Sequence, residues 1–137
     1  MISERIASLF DLTGKVAVIT GGGGNIGVVY GRALGEAGAR VVLADLDAAA
    51  ADAGAKLLRD EGFDVIGTQV DITKPESAAA MAAAAIDGFG GVDILVNNAA
   101  LMKEIPRTRL VDLPVDWFER IIRVNVMGAV VCTRAVL

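Results

Sequence analysis

Three glycines and one aspartate have the residue types and the spacing that binding of a dinucleotide requires. Gly22, Gly24 and Gly27 satisfy the pattern G-x-G-x-x-G, and Asp45 ends the next apolar run of the chain. Glycines let backbone N–H groups approach a diphosphate closely, because they carry no side chain. A carboxylate can accept hydrogen bonds from both hydroxyls of a ribose. The pattern therefore predicts a dinucleotide site, and the structural alternative is a tight glycine turn with Asp45 as a helix cap or a solvated strand end.

The residues around Asp45 favour NAD over NADP. A 2′-phosphate on the adenosine ribose would meet the negative charge of Asp45. The following residue, Leu46, is apolar, and the glycine segment 21–27 contains no Lys or Arg. Because nothing in these two segments neutralises a 2′-phosphate, we expect NAD as the cofactor.

Further polar residues follow the later apolar runs. Asp71 comes after the third run, where it could contact an adenine amino group or cap the turn before Pro75, and both interpretations stay open. An Asn-Asn pair, Asn97 and Asn98, follows the fourth run. Asn125 lies between two valines in a helical stretch, so its amide needs buried partners unless it faces solvent.

Alternating strand and helix patterns place these residues at one edge of a sheet. Apolar runs without alternation predict strands over residues 16–20, 41–44, 64–70 and 92–96. Helical spacing and glycine stops predict helices over residues 25–37, 48–61, 76–87 and 114–137, a helical turn over 6–10 and a loop over 101–114. Asp47 is the predicted N-cap of the second of these helices. The repeated β-α pattern with short connections predicts an α/β fold, a doubly wound parallel sheet of the Rossmann type.

Composition narrows the class of protein and of partner. The 137 residues suffice for one domain, and a content of 54% hydrophobic but only 4% aromatic residues suits a parallel sheet buried on both faces. With a net charge of -4 and no basic run, we expect neither nucleic acid nor a membrane as a partner. The absence of His removes the commonest metal ligand, so we expect no metal site. A single cysteine, Cys132, and the lack of a signal-peptide pattern predict a cytoplasmic protein.

Together these motifs resemble the amino-terminal half of the classical short-chain dehydrogenases/reductases, from about residue 10 onward. Thr20-Gly21 with Ile26-Gly27 is similar to the T-G-x-x-x-G-x-G turn of that family, Asn97-Asn98-Ala99-Ala100 to its N-N-A-G motif, and Asp116-Trp117 with residues 124–128 to its asparagine-bearing helix. Two residues depart from the pattern. Asn25 replaces the middle glycine, where the tolerance of asparagine for left-handed backbone would preserve the turn. Ala100 replaces the last glycine.

The resemblance implies an NAD(H)-dependent oxidoreductase that transfers a hydride between nicotinamide and a carbonyl or secondary alcohol. It implies a small-molecule alcohol or ketone as substrate and a homo-oligomeric assembly. It assigns Asn125 to the active site, where it holds a water in a proton relay and kinks its helix. The cofactor-binding residues implied by the motifs and the resemblance are Gly21, Gly22, Gly24, Asn25, Ile26, Gly27, Asp45, Leu46, Asp71, Ile72, Asn97, Asn98 and Ala99.

The Tyr-x-x-x-Lys pair of the family has no counterpart in these residues. The one tyrosine, Tyr30, is followed four residues later by Leu34, which predicts a helix-packed side chain. We therefore expect residues 1–137 to form a single Rossmann-type NAD-binding domain that is incomplete at its carboxyl end and inactive alone. A strand order of 3-2-1-4, with the rest of the sheet absent, would leave the apolar strand 92–96 at an edge that more chain or a partner covers.

Two other functions fit parts of the sequence. A nucleotide-binding module without turnover, as a truncated enzyme or pseudo-enzyme, would carry the same motifs. An S-adenosylmethionine-dependent methyltransferase also combines a glycine loop with an acid after the second strand. Against the methyltransferase, the first strand ends in Thr20 rather than in an acid, and the Asn-Asn pair has no role there.

Overall fold

Four parallel strands form the centre of the molecule, with helices on both faces. The computed structural model describes residues 4–137, and their side chains from residue 6 onward. The strands are β1 (Val16–Thr20), β2 (Arg40–Asp45), β3 (Val65–Gln69) and β4 (Ile94–Val96). The helices are α1 (Glu4–Ser8), α2 (Asn25–Glu36), α3 (Ala48–Asp60), α4 (Pro75–Phe89), α5 (Val115–Ile122) and α6 (Gly128–Val136). A 3-10 turn spans Leu110–Asp112, and a π-helical segment spans Arg123–Met127.

The sheet has the strand order β3-β2-β1-β4, as predicted. In the parallel register, Val18 of β1 lies beside Val42 of β2 on one side and Leu95 of β4 on the other. All five residues of β1 are buried, which explains why its first four residues are apolar without alternation. The carboxyl ends of the strands therefore meet at one edge, where ligands bind in folds of this kind.

Helices cover both faces of the sheet, and neighbouring strand residues supply the two cores. On one face, Val18 and Val42 belong to a cluster with Met81 of α4 and Cys132 of α6. On the opposite face, Ile19 and Leu43 pack with Ala55 and Leu58 of α3. Because successive side chains of a strand point to opposite faces, two adjacent apolar residues serve two separate cores.

Helix ends follow the signals in the sequence. The Asp47 side chain caps α3 by accepting hydrogen bonds from Ala49 N (2.9 Å) and Ala50 N (3.3 Å), which confirms the predicted N-cap. Pro75 is the first residue of α4, where its missing N–H has no cost. Gly90, with φ of 91°, ends α4 in a left-handed conformation that favours glycine.

The largest differences between the structure and the predicted elements are in two places. The helix predicted from residue 114 to the end is divided into α5 and α6 by the π-helical segment, which hydrophobic periodicity does not report. The fourth strand begins at Ile94 rather than at Val92. Just before β4, Asp93 Oδ2 accepts a hydrogen bond from Val16 N (2.9 Å). The first hydrogen bond between this part of the chain and β1 therefore has a side-chain acceptor instead of a backbone carbonyl.

No helix within the described residues is both long and apolar enough to cross a membrane. The same part of the chain holds no group of three His, Cys, Asp or Glu side chains that could bind a metal ion.

Candidate functional site

The turn between β1 and α2 needs glycine because the surrounding backbone is very close. At Gly22 a Cβ atom would lie 2.8 Å from Leu43 Cα and 2.9 Å from Ala44 N, so β2 occupies the space of a side chain. At Gly27 a Cβ atom would collide with the carbonyl oxygen of Gly21. Gly21 itself has φ of 64°, in the left-handed region. These three glycines bring the start of α2 against the ends of the first two strands.

Gly24 is exposed and less crowded than these three glycines. A Cβ atom on Gly24 would have Gly21 O as its nearest contact, at 3.4 Å. The first hydrogen bond of α2 joins Val28 N to Gly24 O (3.0 Å), so the N–H groups of Asn25, Ile26 and Gly27 precede it. Free N–H groups at a helix N-terminus attract anions, and this geometry fits a diphosphate.

Asn25 is the first residue of α2 and has ordinary right-handed helical backbone. Within the described residues no residue other than glycine has a positive φ. The tolerance of asparagine for left-handed backbone is therefore not what preserves the turn, contrary to the reason given from the sequence. A side chain fits at this position because it lies on the exposed outside of the first helical turn.

The Asp45 carboxylate lies against the glycine turn, at the end of β2. Its Oδ2 accepts a hydrogen bond from Gly23 N (2.9 Å), and its Oδ1 accepts one from Asp47 N (3.1 Å). A carboxylate has about four lone-pair positions, so about two remain for ligand hydroxyls. Leu46 beside it is 66% exposed and offers no positive charge. The carboxylate thus lies beside the glycine turn, where the sequence analysis expected a ribose.

Asp71 forms a capped turn after β3. Its Oδ1 accepts hydrogen bonds from Thr73 N (3.0 Å) and Thr73 Oγ1 (2.6 Å), and Lys74 Nζ lies 3.2 Å from its Oδ2. The Thr73 hydroxyl, the Thr73 N–H and Lys74 hold the pKa of Asp71 below its usual range, against an opposing effect of burial. This is the capping interpretation left open above. Ile72 is 8% exposed, so only its backbone can face a ligand.

The Asn-Asn pair after β4 divides into two different roles. Asn98 Nδ2 donates to Thr20 O (3.0 Å) and Gly21 O (3.2 Å), and the N–H groups of Asn98 and Ala99 donate to Thr20 Oγ1 (both 3.2 Å). Asn97 Nδ2 instead donates to Thr133 Oγ1 of α6 (3.3 Å). Asn98 therefore connects the ends of β1 and β4. The sequence analysis missed Thr20 as its partner, although this buried polar residue directly precedes the glycines.

Asn125 joins the π-helical segment to the loop that follows β4. Its Oδ1 accepts a hydrogen bond from Leu101 N (2.7 Å), and its Nδ2 donates to Leu101 O (3.2 Å). The amide thus has the polar partners that its apolar surroundings require, and it does not face solvent alone. It lies in the segment where the regular helix is interrupted.

The structure brings most of the sequence-derived residues together at the carboxyl edge of the sheet. A Cβ atom on Gly21 would lie 2.9 Å from Ala99 Cα, so the glycine turn and the end of β4 are in contact. Asp45 contacts the same turn through Gly23.

Elsewhere an open groove of about 730 Å³ runs between the start of α4 and the helices α5 and α6, and most of its lining is apolar. Its lining residues are Thr73, Pro75, Phe118, Glu119, Ile122, Arg123, Met127 and Val131.

The known proteins that this chain resembles are dehydrogenases, reductases and oxidoreductases. A family model described as short chain dehydrogenase matches residues 15–137. An uncharacterized oxidoreductase from Thermotoga maritima is 39% identical over 123 residues, covering 90% of this chain and 47% of that protein. The cis-4-hydroxycyclohexanecarboxylate dehydrogenase of Sinomonas cyclohexanicum is 37% identical over 123 residues, covering 90% of this chain and 48% of that protein. A short-chain type dehydrogenase/reductase from Mycobacterium marinum has a crystal structure similar to this one, with a TM-score of 0.88, 32% identity, and coverage of 98% of this chain and 53% of that one.

The chain spans about half the length of the curated relatives it matches. The matched range, residues 15–137, contains the positions of the glycine turn, Asp45, Asp71, the Asn-Asn pair and Asn125. Fold, strand order and sequence agree, and the resemblance drawn from the motifs is confirmed. This chain belongs to the short-chain dehydrogenase family.

Proposed function

We propose that this chain binds NAD(H) as the cofactor half of an oxidoreductase that acts on a carbonyl or a secondary alcohol. Family membership supports the oxidoreductase class and argues against the methyltransferase. The proposal of NAD rests on the position of the Asp45 carboxylate, which accepts a hydrogen bond from the Gly23 N–H and therefore lies against the glycine turn. When bound, the nicotinamide supplies the hydride chemistry, and the protein supplies binding and orientation.

Charge supports NAD over NADP. A 2′-phosphate beside Asp45 would meet like charge, and segments 20–27 and 45–49 contain no Lys or Arg to offset it. The lysine that follows β3, Lys74, is already within 3.2 Å of Asp71. The adenosine ribose with two free hydroxyls matches the lone pairs left on the carboxylate.

The remaining contacts follow the edge of the sheet. The N–H groups of Asn25, Ile26 and Gly27 bind the diphosphate, and the absent side chain of Gly24 leaves room for it. Asp71 and the backbone of Ile72 lie beside the adenine. Residues 97–99, after β4, line the nicotinamide ribose.

Asn125 serves this site by holding the loop after β4 in place. Both polar atoms of its amide bond to Leu101, which leaves one donor hydrogen and one lone pair for a water. We place this water in a proton relay. A complete reaction also needs a proton donor for the substrate oxygen, and these residues contain no Tyr-x-x-x-Lys pair. The 137 residues therefore bind the cofactor as one domain without turning over by themselves.

Fluorescence titration with NADH and with NADPH tests the proposal. We expect NADH to bind at least about tenfold more tightly, since one repelled charge is worth about 1.4 kcal/mol or more near a protein surface. Asp45→Ala should weaken NADH binding and reduce this preference. Asp60→Ala, which removes the same charge at the far end of α3, is the matched control and should change neither affinity. Equal or tighter binding of NADPH by the unmodified chain, or displacement of NADH by S-adenosylmethionine, would overturn the proposal.

A further inference from the structure

The Asp45 carboxylate is held by a closed ring of contacts that also includes the first turn of α3. Asp45 Oδ2 accepts the Gly23 N–H (2.9 Å), and Asp45 Oδ1 accepts the Asp47 N–H (3.1 Å). The Asp47 carboxylate in turn accepts the N–H groups of Ala49 (2.9 Å) and Ala50 (3.3 Å). The two acids are therefore connected through the backbone N–H of Asp47.

Close packing completes the ring between α3 and the glycine turn. A Cβ atom on Gly23 would lie 2.6 Å from the carbonyl carbon of Ala50 and 2.7 Å from its Cβ, so the two backbones are in direct contact. The first turn of α3 thus packs directly against Gly23, the residue whose N–H holds Asp45 Oδ2. An N-cap determines whether such a first turn forms or frays.

We propose that Asp47 is a positioning residue for cofactor discrimination: by capping α3 it fixes the two backbone donors that aim the Asp45 carboxylate at the ribose. This inference rests on the proposed NAD site and adds a residue to it that the motifs did not assign. Asp47 follows Asp45 by two residues but contributes through the helix rather than through direct contact with the ligand. An acid that is aimed in advance loses less freedom when the ribose binds.

The test compares Asp47→Ala with Asp47→Asn. Alanine abolishes the cap, whereas asparagine keeps a good capping oxygen and removes only the charge. We expect Asp47→Ala to raise the NADH dissociation constant about fivefold, which is the typical effect of a lost N-cap expressed as an equilibrium constant. Binding of NADPH, which gains nothing from an aimed Asp45, should stay the same. Asp47→Asn should retain the NADH affinity and the NADH preference of the unmodified chain.

A double-mutant cycle shows whether Asp47 acts through Asp45. In an Asp45→Ala background, Asp47→Ala should have no further effect on NADH binding. Glu61→Gln is the control for general destabilisation, since it breaks the Arg32–Glu61 ion pair (2.7 Å) at the other end of α3. This control should lower the melting temperature and leave the ratio of NADH to NADPH affinity unchanged.

Several outcomes would overturn the inference. Tighter NADPH binding by both Asp47 variants would show that the charge of Asp47 matters instead of its cap. Additive effects in the cycle, or an equal effect of Glu61→Gln on the affinity ratio, would show that Asp47 is only a stabilising residue. Failure of the unmodified chain to bind NADH, or indifference to Asp45→Ala, would contradict the proposed function itself, whereas NADH binding that depends on Asp45 but not on Asp47 contradicts this inference alone.

Discussion

At the scale of single residues, the neighbours Asn97 and Asn98 show how identical side chains acquire different roles. Asn98 donates to the carbonyls of Thr20 and Gly21, which are 78 and 77 residues away in sequence. Asn97 donates to the exposed hydroxyl of Thr133. The motif could be read from the sequence, but the partners could not, because they depend on the register between β1 and β4.

We expect Asn98→Ala to destabilise the fold by about 1–3 kcal/mol, since it removes two hydrogen bonds of about 0.5–1.5 kcal/mol each. The matched variant Asn97→Ala should cost less than about 0.5 kcal/mol, because the hydrogen bond of Asn97 to Thr133 is exposed. Urea denaturation monitored by circular dichroism gives both values. Equal losses would contradict the structural role assigned to Asn98.

The carboxyl group of Asp71 makes stability dependent on pH. Since its folded-state pKa lies below the unfolded value, its contribution is complete above about pH 4 and is lost as pH falls through the folded pKa. Asp71→Asn should therefore destabilise the chain at pH 6, and this difference should shrink as the pH falls from 4 to 2.5. Urea denaturation over this pH series measures it. A difference that stays constant, or that grows towards low pH, would contradict the lowered pKa.

At the scale of elements, local signals located most strands and helices. Apolar runs, the Asp47 N-cap and the glycine stops are all signals within a few residues of the element they mark. The limits of β1, α2 and α3 therefore agree with the predicted limits to within about one residue. Periodicity did not predict the π-helical segment, which is associated with a contact to Leu101, 24 residues away, although the resemblance implied a kink at Asn125. Of the candidate site, the glycine turn and Asp45 were predicted, whereas the network of backbone donors around Asp45 needed tertiary structure.

The packing of α6 on the sheet can be tested through its cysteine. Cys132 is fully buried, and burial raises the pKa of its thiol to about 11. At pH 8 we expect labelling by a disulfide reagent to be roughly 100-fold slower in the folded chain than in urea, because so little thiolate is present. Rapid stoichiometric labelling of the folded chain would show that α6 does not pack as described.

At the scale of the whole molecule, the sheet has an apolar strand at its edge. Within the described residues β4 pairs only with β1, and its three residues are all apolar. An edge of this kind can pair with another chain. The polar Gln69 at the end of β3 makes the opposite edge less suited to such pairing.

We expect the 137-residue chain to associate beyond its 14.1 kDa monomer mass in solution. Ile94→Lys should reduce this association, because a charge on an edge strand opposes pairing between strands. Ile86→Lys is the control, since it introduces the same charge at a half-exposed position on α4. Light scattering after size exclusion measures the mass. A chain that is monomeric before any substitution would refute the expectation.

The account as a whole depends on where a nicotinamide dinucleotide binds, and amide chemical shifts on titration with NADH locate it directly. We predict the largest changes at residues 22–27 and at Asp45, Leu46, Asp71 and Ile72, with smaller ones at residues 97–99. In Asp45→Ala, the chemical-shift changes should decrease most at those residues of this set that would contact the adenosine ribose. Changes confined to the groove between α4 and α5–α6, or no changes at saturating NADH, would contradict the account.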